Sequence, residues 1–402
     1  MIVYGLVVLA LGAHYIARLG AFAVGFARTA RRSDDVRRDD ACAPVVTVIV
    51  AARNEEAVIG RCVDAILACD YPEDRFEVIV SDDDSSDGTA EAVRQRIAAR
   101  TVPVLASAEA EADEAPLRLV HVPHDPGRLR AHKKRAIEWA VEEARGEIVL
   151  TTDADCLVPR GWMRAMAGAF EDPEIVFASG PVRYAAHGGL FARLQALDFL
   201  GLMACGGGGI GIGRPNLANG ASVGWRRDVF EQLGGFSGID DVTSGDDELL
   251  MQKIAYDGSE SGFGRHSVRF VNRPDAVVVT EPVQTVRAFF HQRRRWASKG
   301  TRYQPELQAM LVGFVLFFLA LAGGTLALVF VPALWPWLLG GFGLKAIGDL
   351  AVLLPATRRF GQRHLLAAYP VYGVAHVFHS LFVGLVGPLS RGFEWKGRTL
   401  DQ

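Results

Sequence analysis

The chain has 402 residues, half of them hydrophobic and 22% charged, with a mean hydropathy of +0.17. That much apolar surface excludes a disordered or collagen-like chain, and the length accommodates two to three domain-sized units. Forty-three basic residues against 46 acidic ones leave a net charge of −3, which argues against a nucleic-acid partner.

In chain order, residues 2–27 are apolar apart from His14 and Arg18. No basic stretch precedes them and no small-residue cleavage site ends them, so residues 1–28 read as an uncleaved transmembrane anchor. Arg28, Arg31, Arg32, Arg37 and Arg38 follow, and the positive-inside rule places the next segment in the cytoplasm. Residues 44–300 then have the composition of a globular α/β domain. Short β-branched runs at 45–52, 76–82, 117–122 and 147–153 alternate with helical patterns, which predicts a mostly parallel sheet covered on both faces. The Ala/Glu-rich stretch 106–116 reads as a surface loop. The segment 205–213, CGGGGIGIG, contains a GxGxxG-like run but follows no first strand, so a flexible loop is favoured over a dinucleotide site. His121, His124 and His132 read as solvated loop residues.

Residues 309–390 form a second membrane region of two to three helices. Residues 309–344 carry no charge, a run that overshoots a hydrocarbon core of about 30 Å, and Pro332 and Pro336 divide it into two spans joined by a tight turn. The second continues to about Pro355, with Lys345 and Asp349 spaced to pair on one helical face. Arg358, Arg359 and Arg363 mark a cytoplasmic end. The segment 365–389, with Pro370, His376 and His379, reads as a third span or as a re-entrant or interfacial helix. A third span would put Arg391, Lys396 and Arg398 outside, against the charge rule. Five cysteines at 42, 62, 69, 156 and 205 form no CxxC pair and read as reduced thiols.

In parallel sheets ligands bind beyond the carboxyl ends of strands. There the sequence places Arg53-Asn54-Glu55-Glu56, then DDDSSDGT (82–89), then Asp153-Ala154-Asp155. Acidic groups at neighbouring strand ends repel unless a hard divalent cation such as Mg²⁺, or a sugar-hydroxyl network, offsets them. Singly, each cluster has a plainer explanation, a turn or a helix N-cap at Asp87. Their joint placement is far more specific.

These segments resemble the family 2 glycosyltransferases, inverting enzymes of the GT-A fold, over residues 45–299. VIVAARNEE resembles the opening strand and its base-side loop, with Glu55 among the substrate-binding positions. SDDDSSDGT resembles VDDGSTDGT, with Asp83 at the position that meets the uracil or its ribose and Asp84 in place of the usual Gly. Lys133, in HKKRAIEWA, aligns with a lysine near the nucleotide, and Glu138 stands where the family has Asn. TTDADC matches the DxD segment. The resemblance implies Asp155 as metal ligand and Asp153 near ribose and metal, with Mg²⁺ or Mn²⁺ as cofactor. ANGASVGWRRDVFEQLGGF resembles the acceptor-side strand and helix. SGDDELLMQKI supplies the pair Asp246-Asp247, and FFHQRRRW supplies Gln292, Arg295 and Trp296 of a QxxRW motif.

The fold implied is an α/β GT-A nucleotide-diphospho-sugar transferase domain with N- and C-terminal transmembrane helices. In that reading Asp247 takes the acceptor proton, with Asp246 beside it. Arg295 steadies the leaving diphosphate, and Trp296 offers a ring face to the acceptor. A helix-start charge explains Asp247 equally well without the resemblance, and the arginines also suit a basic patch on anionic headgroups. The expected protein is a multi-pass enzyme of the cell inner membrane with a cytoplasmic catalytic domain. It would move sugar from a UDP-sugar to a lipid or polyprenoid acceptor, as the ceramide and carotenoid glucosyltransferases do. A processive polysaccharide synthase, or a non-catalytic nucleotide- or lipid-binding membrane protein, are the alternatives.

Overall fold

A computed structural model describes the chain except residues 35–42, 101–115, 124–131, 186–187, 258–262, 388–391, 396–397 and 402. The expectations for Arg37, Arg38, Cys42, His124, Arg391, Lys396 and nearly all of the 106–116 stretch lie outside the described residues.

The first helix, α1 (Ile2–Asp34), is followed by β1 (Val46–Ala52), α2 (Ile59–Leu67), β2 (Phe76–Asp82), α3 (Thr89–Arg100), β3 (Leu117–His121), α4 (His132–Glu142) and β4 (Ile148–Thr151). Next come α5 (Trp162–Ala167), β5 (Phe177–Ser179), β6 (Val182–Tyr184) and α6 (Leu190–Gly211). Then follow β7 (Val223–Arg226), α7 (Arg227–Gln232), α8 (Glu248–Gln252), β8 (Val268–Phe270) and β9 (Val278–Thr280). The chain finishes with α9 (Val286–Ala297), α10 (Pro305–Ala327), α11 (Trp335–Arg359), α12 (Tyr369–Val386), β10 (Gly392–Trp395) and β11 (Arg398–Asp401).

Two compact units emerge, and the chain interleaves them. One comprises Ala30–Val182, Ala218–Glu281 and Glu394–Gln402; the other comprises Met1–Thr29, Arg183–Leu217 and Pro282–Phe393. The first holds a seven-stranded sheet in the order β3-β2-β1-β4-β7-β5-β8. Strands β3, β2, β1 and β4 run parallel, β7 is antiparallel to both β4 and β5, and β8 is parallel to β5. Val46, Val48, Ile49, Val78, Ile79, Val80, Ile148 and Val149 are fully buried, as a sheet covered on both faces requires. The expected mostly parallel α/β sheet is present.

The second unit is helical. Among the described residues, five helical stretches are long and apolar enough to cross a membrane: α1, α6, α10, α11 with its leading turn, and Arg363–Val386, which contains α12. The turn at Pro332–Leu334 separates α10 from α11 as the proline spacing predicts, and α11 continues through Pro355 to Arg359. Lys345 and Asp349 pair at 2.5 Å, and Asp349 also accepts from the hydroxyls of Tyr15 (2.5 Å) and Tyr369 (3.0 Å). Three donors thus meet the Asp349 carboxylate, and the Lys345 ammonium also lies 5.8 and 5.7 Å from the ring centres of Phe318 and Tyr372, contacts that offset the pair's desolvation.

Helix α6 corrects the loop expected at 205–213. The glycine run is the carboxyl-terminal third of a helix, and residues 183–217 belong to the helical unit. The reason is backbone proximity. A Cβ on Gly208 would lie 2.3 Å from the Phe22 carbonyl oxygen, one on Gly211 2.1 Å from that of Gly25, and one on Gly25 2.0 Å from that of Gly208. Only hydrogen side chains let α1 and α6 touch so closely, the small-residue packing used between apolar helices.

Candidate active site

The loops after β1 and β2 are tied together by bonds between side chains and backbone groups. Arg53 Nη1 donates to the carbonyls of Asp83 and, at 2.6 Å, Asp84. Asn54 Oδ1 accepts from Ser86 N–H (2.8 Å), and Glu55 N–H donates to Thr89 Oγ1 (2.8 Å). Asn54 and Asp84 take φ of +52° and +57°, the left-handed region. Asp84 thus adopts the conformation a glycine would take in its place, a geometry Asn and Asp tolerate best among non-glycine residues. Asp87 accepts from Thr89 N–H (3.0 Å), Thr89 Oγ1 (2.5 Å) and Glu56 N–H (3.1 Å). Slight burial works against its charged form, but these bonds outweigh it and hold its carboxyl below the usual range. Glu55 is half-buried in this loop and Asp83 is buried.

Helix α4 organises the centre. Lys133 Nζ lies 2.7 Å from Asp153 Oδ1 and 2.8 Å from Asp246 Oδ2, joining the DxD segment to the DD pair. Burial works against its charge, yet the two carboxylates overcome that and raise its pKa, so it is an ammonium at any ordinary pH. Lys134, 1% exposed, donates to the carbonyls of Ile239 (2.5 Å) and Val242 (2.7 Å), and Glu138 Oε1 accepts from Phe236 N–H (3.0 Å). One helix therefore carries Lys133 and pins both ends of the 236–242 segment that leads to Asp246. His132 opens this helix buried, its Nδ1 3.8 Å from Asp83 Oδ2, and His121 Nδ1 is 3.2 Å from Asp82 Oδ2. His132 is thus not the solvated loop residue expected, whereas His121 is exposed to solvent, at the end of β3 rather than in a loop.

Asp247 is the N-cap of the five-residue α8: Oδ1 accepts from Glu248 N–H at 2.6 Å, and Oδ2 from Gly220 N–H at 2.7 Å. The helix-start role is thus present. Gly220 was missed by the sequence reading. A Cβ there would lie 3.1 Å from Lys133 Nζ, 3.2 Å from Asp246 Oδ2 and 3.4 Å from Asp247 Oδ2. A side chain of any size would press on all three charged groups, a constraint that has no mark in the sequence.

Asp153, Asp155 and Cys156 bring one ligand atom each within 4.8 Å of one another. Burial raises the Cys156 thiol well above its ordinary range, and the two carboxylates raise it further. A protonated thiol is a poor partner for a hard cation, so the carboxylates are the fitting ligands. Asp155 is exposed and Asp153 half-buried, which leaves room for further oxygen ligands.

The QxxRW residues lie on α9, in the helical unit. Gln292 Oε1 accepts from the Tyr184 hydroxyl (3.2 Å), and Trp296 packs near Phe199, their ring centres 5.9 Å apart. Arg295 is half-buried and makes no ion pair among the described residues. Its neighbour Arg293 is buried and paired with Asp198 at 2.7 Å.

The sheet, with acidic groups beyond β2 and β4 and an antiparallel β7 beside them, has the GT-A fold. Residues 148–357, more than half of the chain, match Glycosyl transferase family group 2, and residues 47–203 match Glycosyl transferase family 2. The chain belongs to this family of glycosyl transferases. It is 31% identical over 265 residues to the beta-monoglucosyldiacylglycerol synthase of Synechocystis sp., covering 64% of this chain and 48% of that one. It is 26% identical over 297 residues to the synthase of the same name from Trichormus variabilis, covering 72% and 55%. The chain thus spans about half the length of the curated relatives it matches. A mannosyltransferase from Pyrobaculum calidifontis, solved in complex with GDP-Man and Mn²⁺, is similar at 27% identity and a TM-score of 0.54, covering 96% of this chain and 99% of that one.

Proposed function

We propose that this protein transfers a sugar, with inversion, from a nucleotide-diphosphate sugar to a hydroxyl of a membrane lipid. The observation that carries the reading is the line Asp153–Lys133–Asp246–Asp247. In it a fixed cation, Lys133, bridges the metal-fitting carboxylate and the DD pair, and lies with Asp246 and the base candidate Asp247 around Gly220. The names of the similar glycolipid synthases and of the mannosyltransferase support the reaction class. We assign the donor as a UDP-sugar, with Glu55 and Asp83 on the base and ribose side. Lys133 holds the donor-side carboxylates apart and neutralises them. Asp247 accepts the acceptor proton, kept in place by the Gly220 and Glu248 amides. Asp153 and Asp155 would hold Mg²⁺ or Mn²⁺, which would offset charge on the leaving diphosphate. Arg295 is the cation assigned to that diphosphate, and Gln292 and Trp296 are assigned to the acceptor side.

The same proposal extends to topology. Strands β5 and β7 pair directly, although α6 lies between them in the chain. A hydrogen-bonded sheet cannot straddle a bilayer, so α6 lies along the cytoplasmic face while α1, α10 and α11 cross the inner membrane. Arg28, Arg31, Arg32, Arg358 and Arg359 then all fall on the cytoplasmic side, with the catalytic sheet of residues 44–300.

The test is to incubate full-length protein in lipid nanodiscs with radiolabelled UDP-glucose, UDP-galactose or GDP-mannose. Organic-phase counts are followed with and without chelator. A β-linked, chelator-sensitive lipid product from a UDP-sugar is expected. Donor hydrolysis without any lipid product, or no turnover with any donor, would overturn the reading.

A further inference from the structure

Within the helical unit, α6, α9 and α12 bring together a polar cluster that the proposed chemistry does not use. Asp198 of α6 pairs with Arg293 of α9, while His376 Nε2 and His379 Nδ1 of α12 stand 3.7 and 4.0 Å from Asp198 Oδ1. Arg293 is 3% exposed, and its guanidinium carbon lies 4.9 Å from the centre of the Phe289 ring and 4.3 Å from that of Trp296. Ring contact engages the face of a guanidinium and leaves its in-plane N–H groups to find acceptors. Here Nε and Nη1 have none among the described residues. His376 Nδ1, His379 Nε2 and, one helical turn before Asp198, Gln195 Oε1 also lack a hydrogen-bond partner among the described residues. So many unmet donors and acceptors in one buried place are costly in an apolar unit unless something polar fills them.

The chemistry of the filler follows from charge. Arg293 and Asp198 cancel, and Lys345 of the same unit is already paired with Asp349. A phosphate brought to Arg293 would meet the Asp198 carboxylate within the same cluster, and like charges in a low-dielectric setting repel strongly. A neutral headgroup meets no such penalty. Free hydroxyls suit Asp198 and the imidazoles as acceptors, and an ester carbonyl suits the Arg293 N–H groups as donors.

We propose that Asp198, Arg293, His376 and His379 form the seat for the headgroup of a neutral lipid alcohol of the diacylglycerol class, and that the seat discriminates against phosphate-bearing lipids. The proposal rests on the lipid-transfer reading above and deepens it by naming the acceptor class. Trp296 of the QxxRW motif is thereby a wall of this seat through its contact with Arg293.

The test uses full-length protein in phosphatidylcholine nanodiscs, without sugar donor, photolabelled by a diazirine-bearing diacylglycerol. Unlabelled 1,2-dioctanoylglycerol and decaprenyl phosphate serve as competitors. Labelled peptides should come from α6, α9 and α12, and dioctanoylglycerol should compete at a concentration at least about tenfold lower than decaprenyl phosphate, a margin equal to one factor of ten in binding. Asp198→Asn should cut labelling and narrow that margin. His379→Phe, which leaves the ion pair intact, should cut labelling with nucleotide binding unchanged. Equal or better competition by decaprenyl phosphate would overturn the proposal, and so would labelling indifferent to His379→Phe. Because no donor is present, labelling without later sugar transfer would sink the transfer reading and leave the seat standing. Transfer to diacylglycerol without labelling at these helices would do the reverse.

Discussion

At the scale of single residues, the two aspartates of the DD pair are distinguishable. Asp246 is neutralised by Lys133, whereas Asp247 accepts from the Gly220 and Glu248 amides. Asp247→Asn should therefore lower transfer by about 100-fold or more while donor affinity changes only a few-fold. Retained turnover in that variant would move the base elsewhere. Gly220→Ala, with its new methyl 3.1–3.4 Å from three charged atoms, should slow transfer about tenfold and leave the melting temperature within a few degrees. Asp155→Asn should abolish metal-stimulated turnover. Calorimetric titration with Mn²⁺ checks this, the variant showing no saturable binding beside a responsive wild type. The acidic residues were legible in the sequence because charge at successive strand ends is rare without a purpose. Gly220 was not, since a glycine among small residues gives no hint of what crowds it.

Among the elements, α4 and α6 show why legibility fails. The sequence marks Lys133 by its resemblance and leaves Lys134 as one more basic residue on an amphipathic helix. Only packing shows its ammonium bound to two carbonyls of a segment a hundred residues onward. Lys134→Met leaves those carbonyls unmet. It should destabilise the protein by about 2 kcal/mol or more and should reduce transfer more than nucleotide binding, since the Asp246 loop loses its anchor. Thermal melts and donor titrations on one preparation check both parts. Helix α6 was hidden differently. It has the lowest hydropathy of the five apolar helices, contains Arg193, Gln195 and Asp198, and ends in glycines that read as a loop. Its glycines serve contact with α1, and Gly208→Leu, forced against the Phe22 carbonyl, should cost about 1–3 kcal/mol of stability by overpacking. A variant that melts like wild type would show that the helices separate freely.

For the whole molecule, topology is the open quantity that experiment can fix. A reporter inserted between Arg358 and Arg363, and another within residues 212–217, should both read cytoplasmic. An external reading for the second would mean that α6 crosses, which the β5–β7 pairing forbids for an intact sheet. The interleaving of the two units carries a practical consequence. The chain changes unit five times, at 29/30, 182/183, 217/218, 281/282 and 393/394. No pair of terminal truncations can therefore release a water-soluble catalytic fragment. Cutting away residues 1–29 and 282–393 would still leave α6 in the middle of the sheet's own sequence, stripped of the helix it packs against, with its bared glycine face ready to join a second copy. Such a fragment should be recovered as aggregate or in detergent micelles, and reagents meant for this enzyme in solution will need the bilayer supplied with it.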